Sequence, residues 1–151
     1  MAVSFTNYGE NKFMDALLRG QALGAPGTWY VGLSTTVPTE AGVVTEPGGG
    51  WYARQAVAAT LAAWAGTQGA GTTAVSSGTS GTSSNNAQIN YPNPTTAGAQ
   101  ISHWFLVDAS SGGNVWLYGE ITDNAGTPIT ITLNIGQLLF FAAGELRITA
   151  P

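Results

Sequence analysis

The hydrophobic period of the chain changes once, near Pro26-Gly27, and the change divides it into two unlike parts. Before that point Phe13, Met14, Leu17 and Leu18 recur at helical spacing and fall on one face, which predicts a short amphipathic helix. Asn7 followed by Glu10 reads as a capping box at its start, and Arg19-Gly20 supplies a cation and a terminating glycine at its end. Gly9 works against the helix. After Pro26-Gly27 the positions alternate: Trp29, Val31 and Leu33 on one side, Tyr30 and Gly32 on the other, ending at Pro38. That is a strand. A second strand follows the Pro47-Gly48-Gly49-Gly50 turn over residues 51–59, resuming towards Trp64. Apolar runs bounded by turn residues predict further strands at 88–91, 101–108, 115–121, 129–133, 138–141 and 145–149. Short strands with no helical pattern between them predict a mainly β chain. Its expected architecture is an antiparallel β-sandwich or jelly-roll-like single domain over residues 1–151, with a short N-terminal helix.

Two of these strands carry a sharper expectation. If 101–108 and 115–121 close as a hairpin over 110–113, His103 opposes Glu120 and Trp104 opposes Gly119. Phe105, Val107, Trp116 and Tyr118 then share one face, and Trp104, Leu106, Leu117 and Ile121 share the other. A hairpin apolar on both faces must be covered on both. One cover is the domain's own core; the other is either the N-terminal helix or another subunit. Trp104, Trp116 and Tyr118 are therefore candidate interface residues.

The segment 66–86 is almost wholly Gly, Ser, Thr, Ala, Asn and Gln, with Val75 its only larger apolar residue. Such a stretch buries too little surface to offset its ordering entropy. The expectation is an arm ordered by neighbouring copies or by a larger surface, with Thr72, Thr73, Val75, Ser83 and Asn85 as candidate contacts. A loop packed on its own domain is the alternative.

Composition adds a tendency to associate. Charged residues make up 8% of the chain, against about 25% in a typical soluble domain, so little keeps copies apart. A homo-oligomer is expected. The net charge is −4, and the four cations, Lys12, Arg19, Arg54 and Arg147, are scattered, which argues against nucleic acid as a partner. No apolar run approaches a membrane span and no leader pattern opens the chain, so no membrane association is expected. With no cysteine there is neither a disulfide framework nor a reactive thiol. His103, the only histidine, lies within a predicted strand, and no Gly-x-Ser-x-Gly elbow occurs. Glu40, Glu46, Asp108, Glu120 and Asp123 show neither calcium-loop spacing nor a paired motif. Residues 66–73 (GTQGAGTT) look like a phosphate loop but lack its lysine and helix. The residues thus predict no catalytic, metal or cofactor site, and a protein that is not an enzyme.

The chain also resembles small virion structural proteins of tailed bacteriophages, a family labelled variously as tail-fibre-like or head-decoration proteins. The resemblance is carried by the helix over 11–20 and by the blocks 29–42 (WYVGLSTTVPTEAG), 48–57 (GGGWYARQAV), 105–119 (FLVDASSGGNVWLYG) and 141–149 (FAAGELRIT), in that order. It implies a virion protein assembled in the host cytoplasm, with no catalytic residues. Its first reading is a capsid decoration (cement) protein that binds the major capsid protein through many weak, symmetry-repeated contacts. A tail or tail-fibre component is the alternative, and a carbohydrate-binding module ranks last.

Overall fold

The structure is a computed structural model and describes residues 3–150. In chain order its elements are β1 (Val3–Phe5), α1 (Asn7–Leu18), β2 (Thr28–Ser34), β3 (Gln55–Ala58), β4 (Trp64–Ala65), β5 (Thr82–Asn85), β6 (Ile89–Asn90), β7 (Gln100–Ile101), β8 (His103–Val107), β9 (Val115–Glu120), β10 (Ile131–Thr132), β11 (Phe140–Phe141) and β12 (Arg147–Thr149). Five strands form the main sheet in the order β1-β9-β8-β2-β3, every neighbouring pair antiparallel. The remaining strands form three short ladders, β10-β7, β11-β6 and β12-β5-β4. One face of the main sheet presents Val31, Leu33, Trp104, Leu106 and Leu117. These residues meet Ile89, Tyr91, Leu133, Phe141 and Leu146 from the ladders and their connections in a single core. The expected mainly β, antiparallel architecture with one N-terminal helix is what forms, its second layer broken into pieces.

The predicted hairpin is present in the predicted register: His103 faces Glu120, Trp104 faces Gly119, and Leu106 faces Leu117. Past Leu106 the register shifts, Val107 pairs with Val115, and Trp116 becomes the extra residue of a bulge. The bulge takes Trp116 off the Phe105–Tyr118 face where simple alternation placed it. Its indole instead stands edge-on to Trp29 and to Tyr8, with centroids 5.3 Å apart in each pair. Val115 fills the vacated place beside Phe105 and Val107.

The chain itself covers part of that second face, with a segment other than the N-terminal helix, and leaves Tyr30 and Tyr118 half-buried. Val44, from the β2–β3 connection, packs there, and the Arg54 guanidinium lies 5.3 Å from the centre of the Phe105 ring. Arg54 is fixed by Glu46 at 2.5 Å and by the carbonyls of Ala109 and Gly112 at 2.9 and 2.7 Å. One planar cation thus ties the long connection to the turn of the hairpin.

The helix starts one residue earlier than its capping-box pattern implied. Thr6, not Asn7, is the N-cap, its Oγ1 accepting the Gly9 N–H at 3.2 Å. The reason lies in β1, which the sequence did not reveal. β1 pairs with β9 and leads straight into α1, and the fully buried Thr6 gives its own N–H to the Trp116 carbonyl at 2.9 Å. Gly9 is then required by proximity. A Cβ there would collide with the Trp116 carbonyl oxygen and sit 3.1 Å from the Phe5 ring. At the far end Gly20 adopts φ +66°, which lets the Gln21 N–H turn back to the Asp15 carbonyl at 3.2 Å.

The segment 66–86 departs most from its expected behaviour. Its last part is β5, paired on both sides by β4 and β12. The rest closes on its own chain: Thr67 Oγ1 donates to the Ser77 carbonyl at 2.6 Å, and Gln68 Nε2 to the Val75 carbonyl at 2.9 Å. Asn86 clasps the loop from the other side, accepting the Gly71 N–H at 2.7 Å and donating to the Thr72 carbonyl at 2.8 Å. Polar side chains supply the order that apolar burial could not.

Candidate functional site

The eight residues singled out as contacts scatter across the fold. Trp104 is wholly buried in the main core, and Trp116 is buried beneath Tyr8. Tyr118 is half-buried on the second face of the sheet. Thr72 and Ser83 are half-buried, the latter inside β5 opposite Ile148. Asn85 is fully buried and serves the interior: its Nδ2 donates to the Ala87 and Ala142 carbonyls, both at 2.8 Å, and its Oδ1 accepts the Leu146 N–H at 2.9 Å. Only Thr73 and Val75 of the eight lie open, with Val75 74% exposed.

The largest apolar stripe left exposed on a regular element is the helix face that the sequence pattern identified. Phe13 and Met14 are 49% and 47% exposed, and Leu17 and Leu18 64% and 68%. Gly9 is the only buried residue of α1. The helix docks by its first turn, where Tyr8 covers Trp116 and Gly9 touches β9, and by the Phe13 ring, 6.2 Å from that of Phe5; beyond these contacts its apolar stripe is open, most of all at Leu17 and Leu18. Apolar residues at this spacing mark a face made to be buried, so an open stripe marks a contact surface. The charges beside it, Glu10, Lys12, Asp15 and Arg19, cancel, and Asp15 and Arg19 already pair at 2.7 Å. The pattern had identified these four residues; what it could not show is that a tight backbone contact at Gly9 leaves them outside.

The titratable residues of the hairpin act on stability. His103 is buried, with Ser102 Oγ 2.8 Å from its Nδ1 and Glu120 opposite. Burial pushes its pKa below 6.5, and the Glu120 charge opposes that shift without overcoming it. Because the folded pKa is depressed, the unfolded chain binds the proton more readily, and stability falls as pH drops from 6.5 through the folded value. We predict a lower urea midpoint at about pH 5 than at about pH 7.5, with a slope that flattens in His103→Gln. An unchanged slope in that variant would show that other groups carry the dependence. Burial also raises Asp108, but the hydrogen bonds from Asn114 and from the Trp116 indole outweigh it and hold the carboxyl below its ordinary value. Asp108 thereby fastens the hairpin turn to the indole that α1 covers.

Among the described residues no three His, Cys, Asp or Glu side chains gather as a metal site, and no helix is long and apolar enough to cross a membrane.

The comparisons with known proteins give the class to which this small antiparallel β fold belongs. The family described as Podophage GP4 fiber I protein gp80 matches residues 4–149, which takes in α1, the main sheet and all three ladders. The chain belongs to that family and is a virion structural protein of a tailed bacteriophage. No curated protein matches it.

Proposed function

We propose that the protein is a tail-fibre subunit that works by assembly rather than catalysis, joining copies of itself through the apolar stripe of α1. The family's description as a fibre protein supports the tail over the capsid-decoration reading that the sequence favoured. The observation that carries the assembly mode is the exposure of Phe13, Met14, Leu17 and Leu18. Burying such side chains is worth roughly 1.5–3 kcal/mol each when complete, so even partial burial across a symmetric contact accumulates. A second copy is a suitable occupant because the charges flanking the stripe cancel and two helices meet without net repulsion. The first-turn docking through Gly9 and Tyr8 fixes the angle at which the stripe is held.

Light scattering tests this directly. The wild-type chain is expected to be a homo-oligomer at micromolar concentration, and Leu17→Glu with Leu18→Glu to be a monomer with nearly unchanged thermal stability, because both side chains already face solvent. A monomeric wild type, or a variant that keeps its oligomeric state, would remove the stripe from the assembly. Microscopy of intact particles tests the location: density at the tail is expected, and density on the capsid lattice would restore the decoration reading.

A further inference from the structure

Away from α1, a cleft of about 430 Å³ opens between the 121–131 segment and the 139–147 segment. Its volume lies within the range of small-molecule sites. Leu33, Tyr91, Leu139 and Phe141 form an apolar floor, and Phe140, 45% exposed, stands at its side. Asp123, Asn124, Glu145 and Arg147 form the polar part of the lining.

Three of these polar groups are oriented locally and left half-used. Asp123 Oδ1 accepts the N–H groups of Ala125 and Thr127, both at 2.9 Å. Glu145 Oε2 accepts the Ala142 N–H at 2.8 Å, and Arg147 Nε donates to the Gly144 carbonyl at 2.9 Å. Among the described residues, the second oxygen of each carboxylate and the two terminal nitrogens of Arg147 have no hydrogen-bond or ion-pair partner. The cleft therefore offers fixed acceptors and donors beside an apolar and aromatic surface.

We infer that this cleft is a binding site for a neutral saccharide. Two carboxylates against one guanidinium leave the lining net negative, which disfavours acidic sugars and phosphorylated ligands. A purely apolar ligand would cover the charged groups without pairing them, at a desolvation cost. A sugar ring satisfies both parts. Its C–H face lies against Phe140 and the apolar floor, and its hydroxyls donate to Asp123 and Glu145 and accept from Arg147, as charge-assisted hydrogen bonds. No local pattern in the sequence joins these residues, because they come from four stretches of chain, at 33, 91, 121–131 and 139–147. The inference is independent of the stripe on α1, and its test does not read the oligomeric state.

The test is an NMR titration of the isotope-labelled full chain with galactose, N-acetylglucosamine and rhamnose in turn, with sialic acid as the anionic control. Saturable amide shifts confined to the 121–131 and 139–147 segments are expected with at least one neutral sugar. Asp123→Asn keeps an oxygen for the Ala125 and Thr127 N–H groups, so the turn survives. That variant, Arg147→Ala and Phe140→Ala are each expected to weaken binding about tenfold, the loss of one good contact, with spectra unchanged outside the cleft. The proposal is overturned if no neutral sugar moves these amides, if sialic acid binds there equally well, or if all three variants bind like the wild type. Shifts at the cleft that follow protein concentration alone would assign it to a second copy and also overturn the proposal.

Discussion

Asn85→Ala is expected to lower the stability of the folded chain by about 3 kcal/mol, since it strips partners from several buried backbone groups at once. The side chain joins the Ala87 and Ala142 carbonyls and the Leu146 N–H, while the backbone of the same residue bonds Leu146 and Gly144. It thereby holds the 142–146 turn, which leads into β12, against β5. Asn85 is fully buried, so the groups it leaves lie out of reach of bulk water. For a domain of this size the loss corresponds to a fall in melting temperature of about 6–12 °C. The neighbouring Asn86→Ala is the control. Asn86 clasps the exposed 66–81 loop through Gly71 and Thr72, so its loss should cost less than about 1 kcal/mol while making that loop a preferred site of proteolytic cleavage. Equal melting temperatures for the two variants would contradict the division of labour between these adjacent asparagines.

Gly32→Ala is expected to be as damaging, for a steric reason. Gly32 lies opposite Phe105 in the β2–β8 ladder, and the Phe105 ring lies across it. An added Cβ would overlap the tip of the ring, in collision with Cζ and Cε2 and with Cε1 only 2.6 Å away. The ring has nowhere to go: Phe105 is fully buried and the Arg54 guanidinium is stacked over it. Overpacking at such a site costs about 3 kcal/mol. Phe105→Leu should relieve part of the clash, so the Gly32→Ala penalty measured in that background by urea unfolding should shrink by about 1 kcal/mol or more. A penalty below about 1 kcal/mol in the wild-type background would mean that the ring does not depend on the glycine.

The parts of this fold that are written locally were legible in the sequence. Alternation placed Trp29, Val31 and Leu33 on the core side of β2, and the turn residues at 110–113 set the register that joins His103 to Glu120. The same rule failed at Trp116, because a bulge has no signature in an alternating run and its effect is to exchange faces. β1 went unseen because three residues of no distinctive pattern become a strand only through pairing with β9. β5 went unseen because Thr82, Ser83, Ser84 and Asn85 carry no apolar face, and they are held by hydrogen bonds that arrive from β4 and β12. The helix was legible as amphipathic, but what its apolar face meets was not: periodicity reports that a face seeks burial, and the close contact at Gly9 leaves Leu17 and Leu18 exposed on this chain. The cleft lay furthest out of reach, since Leu33, Tyr91, Asp123 and Arg147 converge only when the ladders close on the main sheet.

The way β1 is held also bears on how the chain is made. Thr6 and the Val115 carbonyl to which it bonds are 109 positions apart, so the strand that aims the helix has no partner until the whole intervening stretch has been made. Long-range antiparallel pairing of this kind places a domain among the slower folders, in milliseconds to seconds rather than microseconds. Phe13, Met14, Leu17 and Leu18 precede β9 by about a hundred residues, so they are made well before the strand that aims them can pair. Pairing of β1 with β9 is therefore what sets the direction of the stripe on which the proposed self-contact depends.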